Sequence, residues 1–249
     1  MEAKIMLITG GSRGIGAATA RLAAAQGYKV CINYQRNQEA ARQLVEDIAA
    51  GGGEAFAVQA DIAHEDEVLR LFACLDRVSG RLAALVNNAG ILEKQMRVED
   101  MTADRLNRIL ATNVTGSFLC AREAIRRMSS RHGGQGGAIV NVSSIAARLG
   151  APEEYVDYAA SKGAIDSFTL GLAKEVARDG IRVNAVRPGV IHTEIHASGG
   201  EPGRVERVKA GVPMQRGGQA EEVAHAILWL LSDQASYTSG AILDVSGGR

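Results

Sequence analysis

A chain of 249 residues with 46% hydrophobic side chains is long enough to bury one large core, and residues 1–249 read as one domain. Its 28 basic and 28 acidic side chains cancel, which removes the electrostatic case for a nucleic-acid or membrane-surface partner. No apolar run is long enough to span a bilayer, no signal-peptide layout precedes the first strand, and Cys31, Cys74 and Cys120 lie too far apart for a disulfide frame or a metal site, so the expectation is a soluble, cytoplasmic protein without metal.

Short apolar runs alternate with helical patterns throughout. Strands are expected at 4–9, 29–34, 54–59, 82–87, 138–143, 181–187 and 241–245. Helices are expected at 15–26, 38–50, 65–78, 102–131, 155–179 and 220–232, with a short one at 201–210. The apolar runs lack clean alternation, as strands covered on both faces do. That order predicts an α/β fold with a parallel sheet and helices on each side. No repeat or low-complexity linker divides the chain, and the glycines at 133–137 form a short loop before a strand.

The first strand runs into Gly10, Ser12, Arg13, Gly14, Ile15 and Gly16, spaced G-x-x-x-G-x-G. Glycines there allow a tight turn and close approach of backbone to a phosphate, and the helix start that follows favours an anion. After the first strand of an alternating chain, this predicts a dinucleotide site. The second strand ends in Tyr34, Gln35 and Arg36 with no acid. A carboxylate there would take a ribose 2′-OH and repel a 2′-phosphate. Arg36 with Arg13 instead suits the phosphate, so NADP(H) is expected over NAD(H). Asp61 is placed to accept from an adenine amine with Ile62 against the ring, or else to cap the next helix near His64. Asn88, Ala89 and Gly90 make a small-residue turn that lets a cofactor lie against backbone.

Asn113 interrupts a good helical pattern within L-A-T-N-V-T-G, where a kink would free a carbonyl and let Asn113 hold a water. Ser144 ends the fifth strand, where α/β sheets place ligands. Tyr158 and Lys162 are i and i+4, one above the other on a helix. A free tyrosine, with a pKa of about 10, is a poor base at neutral pH. A lysine ammonium beside it favours the phenolate and brings proton exchange toward pH 7. The Ser144 hydroxyl then holds a carbonyl or alcohol oxygen in line. After the sixth strand, Pro188 and Gly189 turn the chain so that the Ile191 backbone and Thr193 hydroxyl face a carboxamide or phosphate. His192 reads as a solvated loop histidine, and 190–216 as a substrate loop with a mobile lid. Trp229 and Phe168 read as core or interface residues.

The segments TGGSRGIG (9–16), Asp61, NNAG (87–90), Asn113, Ser144, YAASK (158–162), Pro188-Gly189 with Thr193, and Ser239-Gly240 with Gly247-Gly248 span nearly the whole chain. Together, and in this order, they closely resemble the short-chain dehydrogenase/reductase family. The resemblance implies a doubly wound Rossmann-type domain with a seven-stranded parallel sheet, and a homotetramer. It further implies that Tyr158 is the acid/base, Ser144 orients the substrate oxygen, Lys162 lowers the tyrosine pKa and holds the nicotinamide ribose, and Asn113 holds a water of the proton relay. The expected activity is NADP(H)-dependent interconversion of a ketone or aldehyde with an alcohol, on a small-molecule substrate. Its rival is a non-catalytic NADP sensor or scaffold on the same fold. Within the family the chain is similar to bacterial 3-oxoacyl-carrier-protein reductases and glucose 1-dehydrogenases. Two departures argue against the first: residues 91–94 read I-L-E-K where those enzymes carry a Thr-Arg-Asp stretch, and Asp179 stands where they place a basic residue. The helix at 220–232, with Val223, Ala226, Ile227 and Leu230 on one face, and the last strand match family elements that form a subunit contact.

Overall fold

Along the first strand, β1 (Lys4–Ile8), Met6 and Ile8 enter one hydrophobic core while Ile5 and Leu7 enter another, and all four are buried. A strand covered on both faces has no polar side to show, which is why its sequence does not alternate. The computed structural model describes residues 2–249. In it β1 pairs in parallel with β2 (Lys29–Tyr34) on one side and β4 (Arg81–Asn87) on the other. With β3 (Glu54–Gln59), β5 (Gly137–Val142), β6 (Ile181–Pro188) and β7 (Ile242–Val245), the sheet has seven parallel strands in the order β3-β2-β1-β4-β5-β6-β7. This is the expected doubly wound Rossmann-type sheet.

One face of the sheet is covered by α1 (Gly14–Ala25), α2 (Gln38–Ala50) and α10 (Ala220–Leu231). The other is covered by α3 (Glu65–Leu75), α5 (Gly116–Met128) and α7 (Val156–Val176). Chain order reverses between β1 and β4, and open α/β sheets form their ligand crevice at such a switch point.

The pattern at 102–131 predicts one helix, and the structure holds two. α4 (Ala103–Leu110) passes through a single π turn (Ala111–Thr115) into α5. Asparagine and threonine lose little by leaving regular helix, and π turns of this kind recur at functional sites. Gly116, just after it, packs on α3's approach: a Cβ there would lie 2.7 Å from Ile62 Cδ1. Single-turn helices α6 (Ala146–Leu149) and α8 (Ile195–Ser198) are too short to show a period in sequence, and α9 (Arg204–Val208) falls inside the expected 201–210. Asp179 closes a 3₁₀ turn (Ala177–Asp179) after α7 and is buried, with Arg131 at 3.5 Å. On α10, Val223, Ile227 and Leu230 are buried as expected, whereas Trp229 is exposed and so is no core residue. No helix among the described residues is long and apolar enough to cross a membrane.

Candidate active site

The carboxyl ends of β1, β2, β4, β5 and β6 open onto a cavity of about 710 Å³. Two glycines fix the turn beneath it, of which Gly10 lines the cavity. Gly10 takes φ +58°, and a Cβ on it would lie 2.9 Å from Ala89 Cα; a Cβ on Gly16 would lie 2.7 Å from Asn88 Nδ2. Both keep the 9–16 and 88–90 turns in contact. Asn88 Nδ2 donates to the carbonyls of Thr9 (2.8 Å) and Gly10 (3.0 Å), and Thr9 Oγ1 accepts from the N–H groups of Asn88 and Ala89. Ser12, Arg13, Gly14 and Ile15 line the cavity at the start of α1, where no side chain caps the helix. Gly16 itself lies behind the wall.

At the cavity's β2 end, Tyr34, Gln35 and Arg36 join the wall with Arg13, and neither arginine pairs with a carboxylate among the described residues. Asp61 and Ile62 also line it. Both Asp61 oxygens are engaged: Oδ1 accepts from Ala63 N–H (3.0 Å) and Oδ2 from Gln35 Nε2 (2.6 Å). Asp61 thus closes the turn that precedes α3, and it does so without capping the helix itself, whose first flanking residue is His64.

Ser144, Tyr158 and Lys162 share the wall at the β5 end. Lys162 is buried, and its Nζ donates to the Val142 carbonyl at 2.8 Å while standing 5.5 Å from the Tyr158 ring centroid. Ser144 Oγ accepts from Ala146 N–H (3.1 Å) and lies close enough to Tyr158 to oppose the rise of its pKa. The expected lowering of the tyrosine pKa by Lys162 is not found in the free protein. Burial pushes Tyr158 up to about 12, against the smaller opposing pulls of Ser144 and Arg204. Burial also brings Lys162 down to about 8, with Asp166 one turn further on opposing it. The lysine serves a carbonyl rather than the phenol oxygen, so desolvation of the phenolate dominates.

Asn113 stands behind this wall, 1% exposed, with its Oδ1 3.5 Å from where a Gly90 Cβ would sit. Its side chain is a brace. Oδ1 accepts from Ile91 N–H (2.8 Å), and Nδ2 donates to the Ile91 carbonyl (3.1 Å) and Ser161 Oγ (3.0 Å). The freed carbonyl expected at the kink accepts from Ser117 Oγ at 3.2 Å.

Comparison with known proteins shows the family of this chain. The family model described as enoyl-(acyl carrier protein) reductase covers residues 10–249. An Escherichia coli oxidoreductase, YgfF, is 64% identical over 98% of this chain and 99% of its own. The chain belongs to the short-chain dehydrogenase/reductase family. It is an oxidoreductase of that family. A Synechocystis 3-oxoacyl-[acyl-carrier-protein] reductase is 41% identical over 100% of this chain and 97% of its own. Among solved structures, a Brucella melitensis 3-ketoacyl-(acyl-carrier-protein) reductase complexed with NADH superposes with a TM-score of 0.91 at 34% identity, covering 100% of this chain and 98% of that one.

In this family member the far end of the cavity is closed by residues the sequence did not single out: Leu92, Leu149, Tyr155, Ile195, His196 and Arg204. Pro188, Gly189, Ile191 and Thr193 line the same wall, as expected, and the Ile191 carbonyl is held by a His196 ring nitrogen at 2.9 Å. His192 is exposed. The 190–216 loop is pinned by charge. Arg204 reaches Glu154 (2.5 Å) and Glu201 (3.2 Å), Arg207 reaches Glu154 (2.7 Å), and Gln95 Nε2 donates to Glu201 (2.9 Å). The Arg204 guanidinium lies 4.8 Å over the Tyr155 ring. The alternating charges of 201–207 were the available signal, but their partner Glu154 lies about fifty positions away in sequence and no period links them.

Proposed function

We propose that this protein interconverts a ketone or aldehyde with an alcohol, using NADP(H), with Tyr158 as the acid/base. The observation that carries the reading is the meeting of Ser144, Tyr158 and Lys162 on one wall of a cavity whose opposite end is the Gly10–Gly16 turn. The cavity fits a dinucleotide. Gly10, Ser12, Arg13, Gly14 and Ile15 line it at the turn into α1, the uncapped start of α1 faces it, and Arg13 and Arg36 offer two unpaired cations near a strand end without an acid. Arg13 and Arg36 would hold the 2′-phosphate, Ser12 to Ile15 the pyrophosphate, Asp61 and Ile62 the adenine, Asn88 to Gly90 the adjoining backbone edge, Lys162 the nicotinamide ribose, and Ile191 and Thr193 the carboxamide. The Brucella reductase's NADH complex describes that protein, and Arg36 supports the phosphorylated cofactor here.

The bound nicotinamide supplies or takes the hydride. Tyr158, protonated at neutral pH, gives its hydroxyl proton to the substrate oxygen during reduction and takes it back during oxidation. Ser144 holds that oxygen. Lys162 is charged below about pH 8 and steadies the oxygen-rich wall. Asn113 acts through its brace on Ile91 and Ser161. The loop 190–216 covers the substrate. Leu106, Leu110, Phe118 and Leu170 are exposed on α4, α5 and α7, as are Trp229 on α10 and Leu243 on β7, which supports two interfaces of a homotetramer. Three free thiols support a cytoplasmic site.

The test is Tyr158→Phe, assayed over sugars, acyl thioesters, diketones and quinones, with NADPH binding followed by calorimetry. Turnover falls at least a thousandfold and NADPH affinity stays within about threefold. Wild-type turnover in the variant refutes the acid/base assignment. Tight NADPH binding by the wild type without turnover on any class supports the sensor reading instead.

A further inference from the structure

We infer that Arg105, through Asp157, is a positioning residue for Tyr158. Both lie outside the cavity wall, and both side chains are almost wholly buried, 4% and 2% exposed. The guanidinium forks onto the carboxylate, Nε to Oδ2 at 2.7 Å and Nη2 to Oδ1 at 3.3 Å, and its third nitrogen, Nη1, donates to the Lys94 carbonyl at 2.7 Å. Asp157 Oδ1 also accepts the backbone N–H of Tyr158 at 2.9 Å. On the other side of the same residue, the Tyr158 carbonyl accepts from Ser161 Oγ at 2.7 Å, and Ser161 Oγ accepts from Asn113 at 3.0 Å. Each backbone polar group of Tyr158 is therefore tied, through one side chain of α7, to the α4–π turn unit: the N–H to Arg105 and the carbonyl to Asn113.

The two ties share an anchor. Asn113 holds Ile91 and Arg105 holds Lys94, so the segment leaving β4 is fixed at both points. A buried ion pair is a poor source of stability, because desolvation of both charges offsets their attraction and apolar side chains of similar size do as well. What a forked, fully bonded pair supplies is a fixed direction. Here the direction sets the first turn of α7, and with it the placement of Tyr158 on the cavity wall that it shares with Ser144. Arg105 and Asp157 are thus to the front of Tyr158 what Asn113 is to its back.

The inference rests on the reading of Tyr158 as acid/base, and its test keeps the two apart. Arg105→Leu with Asp157→Leu removes both charges at once and leaves neither one uncompensated, and circular dichroism checks that it folds. Arg105→Lys keeps the charge and loses the fork. Expected for the double variant are NADPH affinity within about threefold of wild type, kcat down at least tenfold, and a moved or broadened ¹³Cζ resonance of labelled Tyr158, assigned with Tyr158→Phe. Arg105→Lys falls between. A folded double variant with wild-type kcat and an unmoved resonance overturns the positioning role. Full turnover by Tyr158→Phe overturns the acid/base reading alone, and the resonance still reports on the positioning.

Discussion

Lys162 is buried yet carries a charge at neutral pH, and that conflict has a measurable consequence. Its folded-state pKa lies near 8, below the usual lysine value, because burial disfavours the ammonium. Between pH 8 and about 10.4 the unfolded chain therefore binds more protons at this site than the native one, and stability rises with pH across that window. Below pH 8 both states are protonated and the full cost of burying the charge is present. Lys162→Met removes the cost, so at pH 7 the variant is more stable than wild type by on the order of 1–3 kcal/mol, and the gap closes as pH reaches 10. Urea denaturation of both proteins at pH 7 and pH 10 checks this, and a gap that widens with pH contradicts it. Arg36 makes a second prediction at this scale. Arg36→Asp replaces the cation at the end of β2 with the acid that suits a ribose hydroxyl. NADPH affinity falls at least tenfold while NADH affinity changes less than threefold. Equal losses for both, measured by calorimetry, show that Arg36 does not read the 2′-phosphate.

At the scale of elements, the informative departures from regularity are the π turn and the 190–216 loop proposed as a lid. The π turn lets the Asn113 side chain bond both backbone groups of Ile91, while its carbonyl accepts from Ser117 Oγ. The lid hangs on few covalent constraints but on a four-charge cluster in which Arg204 and Arg207 face Glu154 and Glu201. Arg204 is only 15% exposed, which screens its pairs less than ordinary surface bridges. Glu154→Gln removes the one member that belongs to the α6–α7 connection and leaves the lid tied mainly to itself. Limited proteolysis then cuts within 195–216 at least fivefold faster in the variant, with the rest of the chain protected as before. Unchanged cleavage shows that packing of Gly199 on Leu92, and not charge, holds the lid.

At the scale of the whole molecule, two apolar faces remain uncovered. Phe118 stacks on Phe168 with ring centroids 3.8 Å apart, yet Phe118 is still 48% exposed, beside Leu170 on the neighbouring helix. Large exposed side chains in a contiguous patch mark an interface. Phe118→Glu places a charge in that patch, and under the proposed homotetramer it lowers the mass in solution from four chains to two. Light scattering coupled to gel filtration reads the mass directly, and a mass equal to that of the wild type excludes the α5–α7 face as an interface.

The alternation of elements, the parallel sheet and the order of the site motifs were all legible in the sequence, because buried strands, glycine turns and a Tyr–Lys helical pair leave local signatures. The strand assignments at 29–34 and 54–59 coincide with β2 and β3 for that reason. So does the grouping of Ser144, Tyr158 and Lys162, since strand ends on one edge of a parallel sheet must share a crevice. Long-range pairing leaves no such trace. Nothing local distinguishes Arg105 from any helix arginine, or ties Asp157, 52 positions away, to it. Nor does spacing reveal that Lys162 turns to the Val142 carbonyl, so that burial and not the lysine governs Tyr158. Local patterns determine which elements form and which edge holds the chemistry; solvent exclusion and partners brought from distant segments, which exist only once the chain is packed, decide protonation, orientation and the grip of the lid.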